Sequence, residues 1–313
     1  MTHAGLPRTA GFHDGELAVQ RRAGVGGLAA RLSGMLAPGR LSGGAAQFLA
    51  GRTFAALTAR DRNGRLWISP LTGPAGFLAV EDPTTLGVRT SPAEGDPLHG
   101  LPAGQQIGVI VIEFATRRRF RVNGTLADAG TGALTIDVDE AFGNCPQYIQ
   151  QRHLTPAPPV GPAAGGVRHG TALSPRDVEL IRRSDTFLIG TTHAERGADA
   201  SHRGGSAGFV RVADGGLWWP DYQGNNMFNT LGNLAVDPSA ALLFADFTTG
   251  RTLQLSGRAA VDWTAPGVPG DDDRTGRRVG FTPEALVAGD FLPLHASDVG
   301  PSPHNPELTD LPA

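Results

Sequence analysis

The feature that most constrains this chain is that it repeats itself. Thr53, Phe54 and Thr58 recur as Thr186, Phe187 and Thr191 at an offset of 133. Ser69-Pro-Leu-Thr-Gly-Pro-Ala-Gly-Phe77 recurs as Ser201-His-Arg-Gly-Gly-Ser-Ala-Gly-Phe209 at an offset of 132. Phe114-x-Thr116-x-Arg118 then returns as Phe247-x-Thr249-x-Arg251, and Gly124 as Gly257, again at 133. One deletion and one compensating insertion keep the register, which predicts two copies of a module of about 100 residues. A chain of 313 residues is long enough to give each copy a core.

Each copy reads mainly as strands. Phe54-Ala-Ala-Leu-Thr-Ala59, Val109-Ile-Val-Ile112 and Arg119-Phe-Arg-Val122 in the first are short apolar or β-branched runs bounded by Gly, Pro and Asp. So are Phe187-Leu-Ile-Gly-Thr191, Gly208-Phe-Val-Arg-Val212, Ala241-Leu-Leu-Phe244 and Thr252-Leu-Gln-Leu255 in the second. Alternation in the last puts Leu253 and Leu255 on one face and Gln254 on the other. Asp61-Arg-Asn-Gly64 and Ala213-Asp-Gly-Gly216 supply hairpin turns, so the expected architecture is antiparallel and barrel-like. Ser174 followed by Pro175 and Asp177 predicts a helix over 175–183. Residues 16–36 predict a helical arm broken by glycines. The expected organisation is an N-terminal helical arm over 1–49, a first module over 50–152, a linker over 153–173, a second module over 174–264 and an irregular tail over 265–313.

Composition narrows the function. The formal charge is −3, too acidic for a general nucleic-acid binder. A single cysteine, Cys145, excludes an intrachain disulfide and a thiolate zinc cluster. No window has the apolar length of a membrane span, and residues 1–15 carry no apolar leader core, so the expected location is the cytoplasm. All 27 basic side chains are arginine, because the sequence contains no lysine. Schiff-base chemistry is therefore closed to this chain, and a bound phosphate must be held by Arg, hydroxyl, amide or backbone N–H groups.

The second copy carries a polar loop that the first lacks: Trp218-Trp-Pro-Asp-Tyr222 leads into Gly224-Asn-Asn-Met-Phe-Asn-Thr-Leu-Gly-Asn233. Its asparagines and helix-opening turn offer several donors in a small space, for an anion or a heterocycle, or else they only cap helices and form turns. The corresponding stretch of the first copy, Ser91-Pro-Ala-Glu-Gly-Asp-Pro97, is Pro-rich and acidic, which points to one functional site per pair of modules.

The order of Ser201-x-Arg203-Gly-Gly, Gly208-Phe-Val-Arg-Val212, Trp218-Trp-Pro-Asp-Tyr222, a short helix to Asp237-Pro238, and Arg251-x-x-Gln254-x-x-Gly257 resembles the pyridoxamine 5′-phosphate oxidase-like flavin-binding split barrel. The resemblance covers about residues 185–262, and through the repeat about 50–150. It implies a mainly β fold of two split-barrel modules fused as an intrachain pseudo-dimer. It further implies FMN held by Ser201, Arg203, Asn226, Asn229, Thr230, Arg251 and Gln254, with the phosphate charge met by Arg203 or Arg251, and the flavin between the two modules. The family's basic helix start falls on Phe228-Asn229-Thr230, where neither Arg nor Lys is present. Residues 69–77 and Arg118 are the expected wall for the ring or substrate, and Trp218, Trp219 and Tyr222 either pack the ring or belong to the core.

The implied activity is FMN-dependent oxidation or reduction of a small organic molecule by hydride transfer through flavin N5, with a separate or NAD(P)H-linked reductant and without nucleic acid or membrane. No catalytic residue or metal ligand is assigned. A non-catalytic flavin or haem carrier and a deazaflavin-dependent reductase are the alternatives, and the pseudo-dimer either stands alone or pairs as a homodimer. Elsewhere, His193 and His202 lack metal-ligand spacing, Cys145 reads as a buried structural thiol, and Arg117-Arg-Arg119-Phe-Arg121 reads as a solvated strand edge.

Overall fold

Residues 11–36, 39–157 and 166–309 are described by a computed structural model. Helices α1 (Asp14–Arg22) and α2 (Gly26–Ala29), a 3-10 segment (Ala30–Leu36) and α3 (Gly43–Ala50) precede the first sheet. The glycine break expected in the arm is there: α1 stops at Arg22, and Gly24 takes φ 72°. Seven strands follow: β1 (Phe54–Arg60), β2 (Leu66–Thr72), β3 (Leu78–Asp82), β4 (Thr85–Val88), β5 (Gln106–Glu113), β6 (Arg118–Gly130) and β7 (Ala133–Asn144). After β8 (Gln151–Pro156), β9 (Arg168–Gly170) and α4 (Pro175–Arg183) come β10 (Thr186–His193), β11 (Gly197–Gly204), β12 (Arg211–Ala213), β13 (Gly216–Pro220), α5 (Asn229–Val236), β14 (Ser239–Ala245), β15 (Thr252–Trp263), β16 (Arg277–Gly289) and β17 (Leu294–Gly300). Helix α4 has the boundaries read from its Ser174 cap, whose hydroxyl and Asp177 form a reciprocal capping box.

The first sheet is ordered β2-β1-β5-β6-β7-β4-β3 and the second β11-β10-β14-β15-β16-β13-β12. Matching β1 to β10, β2 to β11 and so on to β16, the two orders are the same. Side-chain faces set the correspondence more finely than residue identity does. Ala55 and Leu57 fill the first core, Phe187 and Ile189 the second, while Phe54, Ala56 and Leu188 pack between the modules. Strand β1 therefore maps onto β10 at an offset of 132, and the expected match of Phe54 to Phe187 at 133 is one residue out. A slip of one residue reverses every face. From β5 onward the offset is 133: Val109 and Leu242, and Val122 and Leu255, fill their respective cores, with Phe114 and Phe247 between modules.

The modules pack through β1, β2 and β5 of the first and β10, β11 and β14 of the second, so these strands are buried on both faces and read as unbroken apolar runs. Backbone approach there is close. A Cβ on Gly190 would lie 2.6 Å from Thr58, its counterpart at an offset of 132, and one on Gly108 would lie 2.7 Å from the Asp199 backbone. Gly108→Ala is expected to force β5 from β11 and cost about 1–3 kcal/mol. Urea unfolding reads this, and an unchanged midpoint would contradict the packing.

Three expectations need correction. Residues 277–289, placed in an irregular tail, form β16 inside the second sheet. Its alternation (Arg277, Val279, Phe281) is broken by Pro283 and by a bulge opposite Ser256 and Gly257, which hides it in the sequence. The stretch Arg117-Arg-Arg-Phe-Arg121 is no edge, because β6 lies between β5 and β7. The linker contributes structure at both ends, β8 pairing with β17 and β9 with β16; its residues 158–165 lie outside those described. Leu253 and Leu255 fill the second core as alternation predicts, and Gln254 points across to the first module. Among the described residues no helix is long and apolar enough to cross a membrane.

Candidate functional site

Register explains how arginines from the first module reach the second. Arg119 stands opposite Ile112 and Arg121 opposite Ile110 on β5. Both isoleucines pack between the modules, and directly opposed residues share a face, so both guanidinium groups point at the second module. Arg121 donates from Nη1 to both Asp199 carboxylate oxygens at 3.1 Å and from Nη2 to Ser201 Oγ at 2.5 Å. Arg203 donates to the same hydroxyl at 3.0 Å and to the His202 carbonyl oxygen at 3.0 Å. Arg119 Nη1 lies 3.0 Å from His202 Nδ1. Arg119, Arg121, Ser201, His202 and Arg203 wall a cleft closed by residues 144–148, the loop 220–226 and the first turn of α5.

Charge is out of balance in this cleft. Asp199 answers Arg121 and Asp221 is held by Arg277, but among the described residues Arg119 and Arg203 have no carboxylate within ion-pair distance. Burial, then the neighbouring guanidinium groups of Arg121 and Arg203, push Arg119 down to about 9. Burial likewise lowers Arg203. His202, 2% exposed, is held well below the usual imidazole range by burial and the surrounding arginines, so it is neutral. A guanidinium has no acceptor, so His202 Nδ1 accepts from Arg119 and the ring proton sits on Nε2. That Nε2, with Arg119 Nε, Arg121 Nε and Asn144 Oδ1, is buried without a hydrogen-bond partner. The three nitrogens are unpaired buried donors, and with the excess positive charge around them they supply the chemistry of an anion site.

The backbone adds to it. Helix α5 opens on Phe228 in the left-handed region (φ 60°) with no side-chain cap, so the N–H groups of its first turn face the cleft with the positive end of the helix dipole. Asn226 (φ 62°) and Tyr148 (φ 64°) line the same cleft in the same strained region. At the mouth the rings of Tyr148 and Tyr222 lie 5.2 Å apart, and Tyr148 OH donates to the Gln223 carbonyl oxygen at 2.8 Å. Burial, with Asp273 beside Tyr148 and Asp272 beside Tyr222, raises both phenols above their usual range, so both stay protonated.

Of the residues named from sequence, Ser201, Arg203, Asn226, Asn229 and Thr230 line this cleft. Arg251 and Gln254 do not. Arg251 reaches Asp177 at 3.7 Å in a separate groove, and Gln254 donates to Ile68 O, Ser69 Oγ and Asp96 Oδ2 in the buried contact between the modules. Ser69 is buried on Asp96, and Arg118 stacks over Phe48 at 5.0 Å, so neither walls the cleft. Trp219 belongs to the second core and Trp218 lies beneath Arg211 and Arg278; only Tyr222 of the three aromatics reaches the cleft. Sequence reasoning missed Arg119, Arg121 and His202, and placed Cys145 in the interior, whereas it is half-buried and lines the cleft. The available signal was the repeat: Arg121 is the counterpart of Gln254 at 133, so the motif strand that faces the second copy's loop belongs to the first copy.

Helix α1 braces α5 from behind. A Cβ on Gly15 would stand 2.2 Å from Gly232 O, and Glu16 Oε1 accepts from Asn229 Nδ2 at 2.5 Å. Burial pushes the Glu16 carboxyl up to about 7 and, with His193 nearby, pushes His13 down to about 4. The folded chain keeps a Glu16 proton that the unfolded chain releases from pH 4.5 upward, so this group lowers stability as pH rises toward 7. His13 acts oppositely, because the unfolded chain takes up its proton below pH 6.5. The two slopes nearly cancel between pH 4.5 and 6.5. Glu16→Gln is expected to uncover a rise in stability of about 3 kcal/mol from pH 4 to 6.5, read from unfolding midpoints. A profile parallel to the parent would contradict this.

Residues 173–267, within the second module and the strand-bearing segment after it, match the family model of pyridoxamine 5′-phosphate oxidase. Solved structures similar to part of the chain include HupZ from Group A Streptococcus, at 13% identity and TM-score 0.26, covering 42% of this chain and 98% of that one. A putative pyridoxamine 5′-phosphate oxidase from Lactobacillus delbrueckii gives 15% identity and TM-score 0.31, covering 37% and 94%. The haem storage protein HutZ from Vibrio cholerae gives 12% and 0.28, covering 37% and 95%. No curated protein matches the sequence.

Proposed function

We propose that the chain is an FMN-dependent oxidoreductase acting on a small organic molecule, with the FMN phosphate held in the cleft between two duplicated modules. The observation that carries this reading is the pair of buried guanidinium groups, Arg119 and Arg203, neither of which lies within ion-pair distance of a carboxylate among the described residues. In this reading both donate to the phosphate, the first turn of α5 and the Thr230 hydroxyl complete its cage, and Arg121 holds Ser201 in place. Bound FMN supplies a hydride acceptor at its own N5, so the protein needs only to bind, orient and exclude water. Tyr148 and Tyr222 narrow the mouth, and the neutral His202 offers an Nε2–H donor.

That tautomer removes His202 as a candidate haem ligand. A metal ligand needs a free nitrogen lone pair, whereas His202 Nδ1 is taken by Arg119 and Nε2 carries the proton. The purified protein, reconstituted with FMN, is expected to show the two absorbance bands of a bound oxidised flavin and to bleach under anaerobic NAD(P)H or dithionite. A Soret band in place of flavin absorbance, or no change in the FMN spectrum on mixing, would reject the proposal.

A further inference from the structure

The cleft has a counterpart related by the repeat, and that counterpart is shut. Ser201 corresponds to Ser69 at an offset of 132 and Arg121 to Gln254 at 133. The contacts are reciprocal: Arg121 of the first module donates to Ser201 of the second, and Gln254 Nε2 of the second donates to Ser69 Oγ of the first at 2.8 Å. The cations are missing on this side, where Thr252 stands for Arg119 and Leu71 for Arg203. In the gap lies Asp96, from the Pro-rich loop between β4 and β5, at an offset of 133 from Asn229 in the first turn of α5. Its Oδ1 accepts from Ser69 Oγ at 2.6 Å and Leu98 N at 2.8 Å, and its Oδ2 accepts from Gln254 Nε2 at 3.0 Å. Asp96 is 4% exposed, and among the described residues no guanidinium pairs with it.

We infer that this counterpart is an anion-binding pocket that the chain fills with its own Asp96 carboxylate, so that each chain carries one open cleft and one self-occupied site. Three donors from two modules converge on one carboxylate, the arrangement a foreign anion would require. The contrast between the sites follows from charge. Where the arginines remain, positive charge is left over for a ligand; where Thr252 and Leu71 replace them, neutral donors alone hold the internal carboxylate. Burial raises the Asp96 carboxyl to about 6, so at pH 8 the carboxylate form fills the pocket. The inference rests on the repeat and on these hydrogen bonds, and it stands whether or not the open cleft binds flavin.

Chemical rescue tests it. At pH 8, Asp96→Ala is expected to lower the thermal unfolding midpoint by roughly 5 °C. Sodium formate should restore at least half of that loss, sodium chloride at equal ionic strength should not, and the parent protein should respond equally to both salts. Asp96→Asn keeps the volume but turns one accepting oxygen into a donor set against the donors of Ser69, Leu98 and Gln254; its midpoint should also fall, with no response to formate because the pocket is full. Formate acting no better than chloride on Asp96→Ala, or a parental midpoint for Asp96→Asn, would overturn the inference. If Asp96→Ala does not fold, the Asp96→Asn midpoint decides alone: lowered supports the anion pocket, unchanged refutes it.

Discussion

Arg121→Ala is expected to lower stability by about 3–5 kcal/mol, because it strands Asp199 as a buried charge without the one arginine that ion-pairs with it among the described residues. The same guanidinium ties β6 of the first module to β11 of the second through Ser201, so the loss also loosens the contact between modules. Urea unfolding of Arg121→Ala and of the double variant Arg121→Ala, Asp199→Asn separates the two effects. Neutralising Asp199 should recover more than half of the loss, since it removes the stranded charge, and the remainder measures the tie itself. A loss below about 1 kcal/mol in the single variant would place Arg121 in water instead of between the modules.

Arg119→Leu should act in the opposite direction on stability and more strongly on binding. Arg119 is desolvated, has no carboxylate partner among the described residues and is pressed by two other guanidinium groups, so an apolar side chain relieves a standing electrostatic cost that outweighs the lost hydrogen bond to His202 Nδ1. The apoprotein is expected to gain about 1–2 kcal/mol, read as a higher unfolding midpoint. Affinity for FMN is expected to fall about 100-fold, the value of one charge-assisted contact to a phosphate. Such a trade between stability and binding is what a preformed anion site predicts. A variant that loses stability along with affinity would mean that Arg119 serves the core.

Much of this fold is written in the sequence, though not in the form that residue identity first gives. The duplication is visible because Phe77 and Phe209, or Gly124 and Gly257, occupy positions where few side chains fit. Its frame at β1 is misread because Phe54 and Phe187 share a ring but not a face: one packs between modules and the other inside a barrel. Strand β16 is hidden because Pro283 and the bulge at Ser256 and Gly257 interrupt its period of two.

The site was half legible for a related reason. Ser201, Arg203 and the residues from Asn226 to Thr230 are close in sequence and come from one module, so local pattern finds them. Arg119 and Arg121 are about 80 positions from Ser201 along the chain and reach it only because two similar sheets pack face to face. Assigning Gln254 and Arg251 to the cleft kept the whole motif within one copy, when the packing crosses strands between copies. A run of arginines on a strand looks like a solvated edge until the topology places that strand in the middle of a sheet.

Calorimetric titration of the apoprotein with FMN and with riboflavin at pH 7.5 separates the phosphate from the ring. One FMN per chain is expected, bound at least 100-fold more tightly than riboflavin, with that preference abolished in the double variant Arg119→Leu, Arg203→Leu. Equal affinity for the two flavins, or a preference for FMN that survives removal of both guanidinium groups, would contradict a phosphate site built from these arginines.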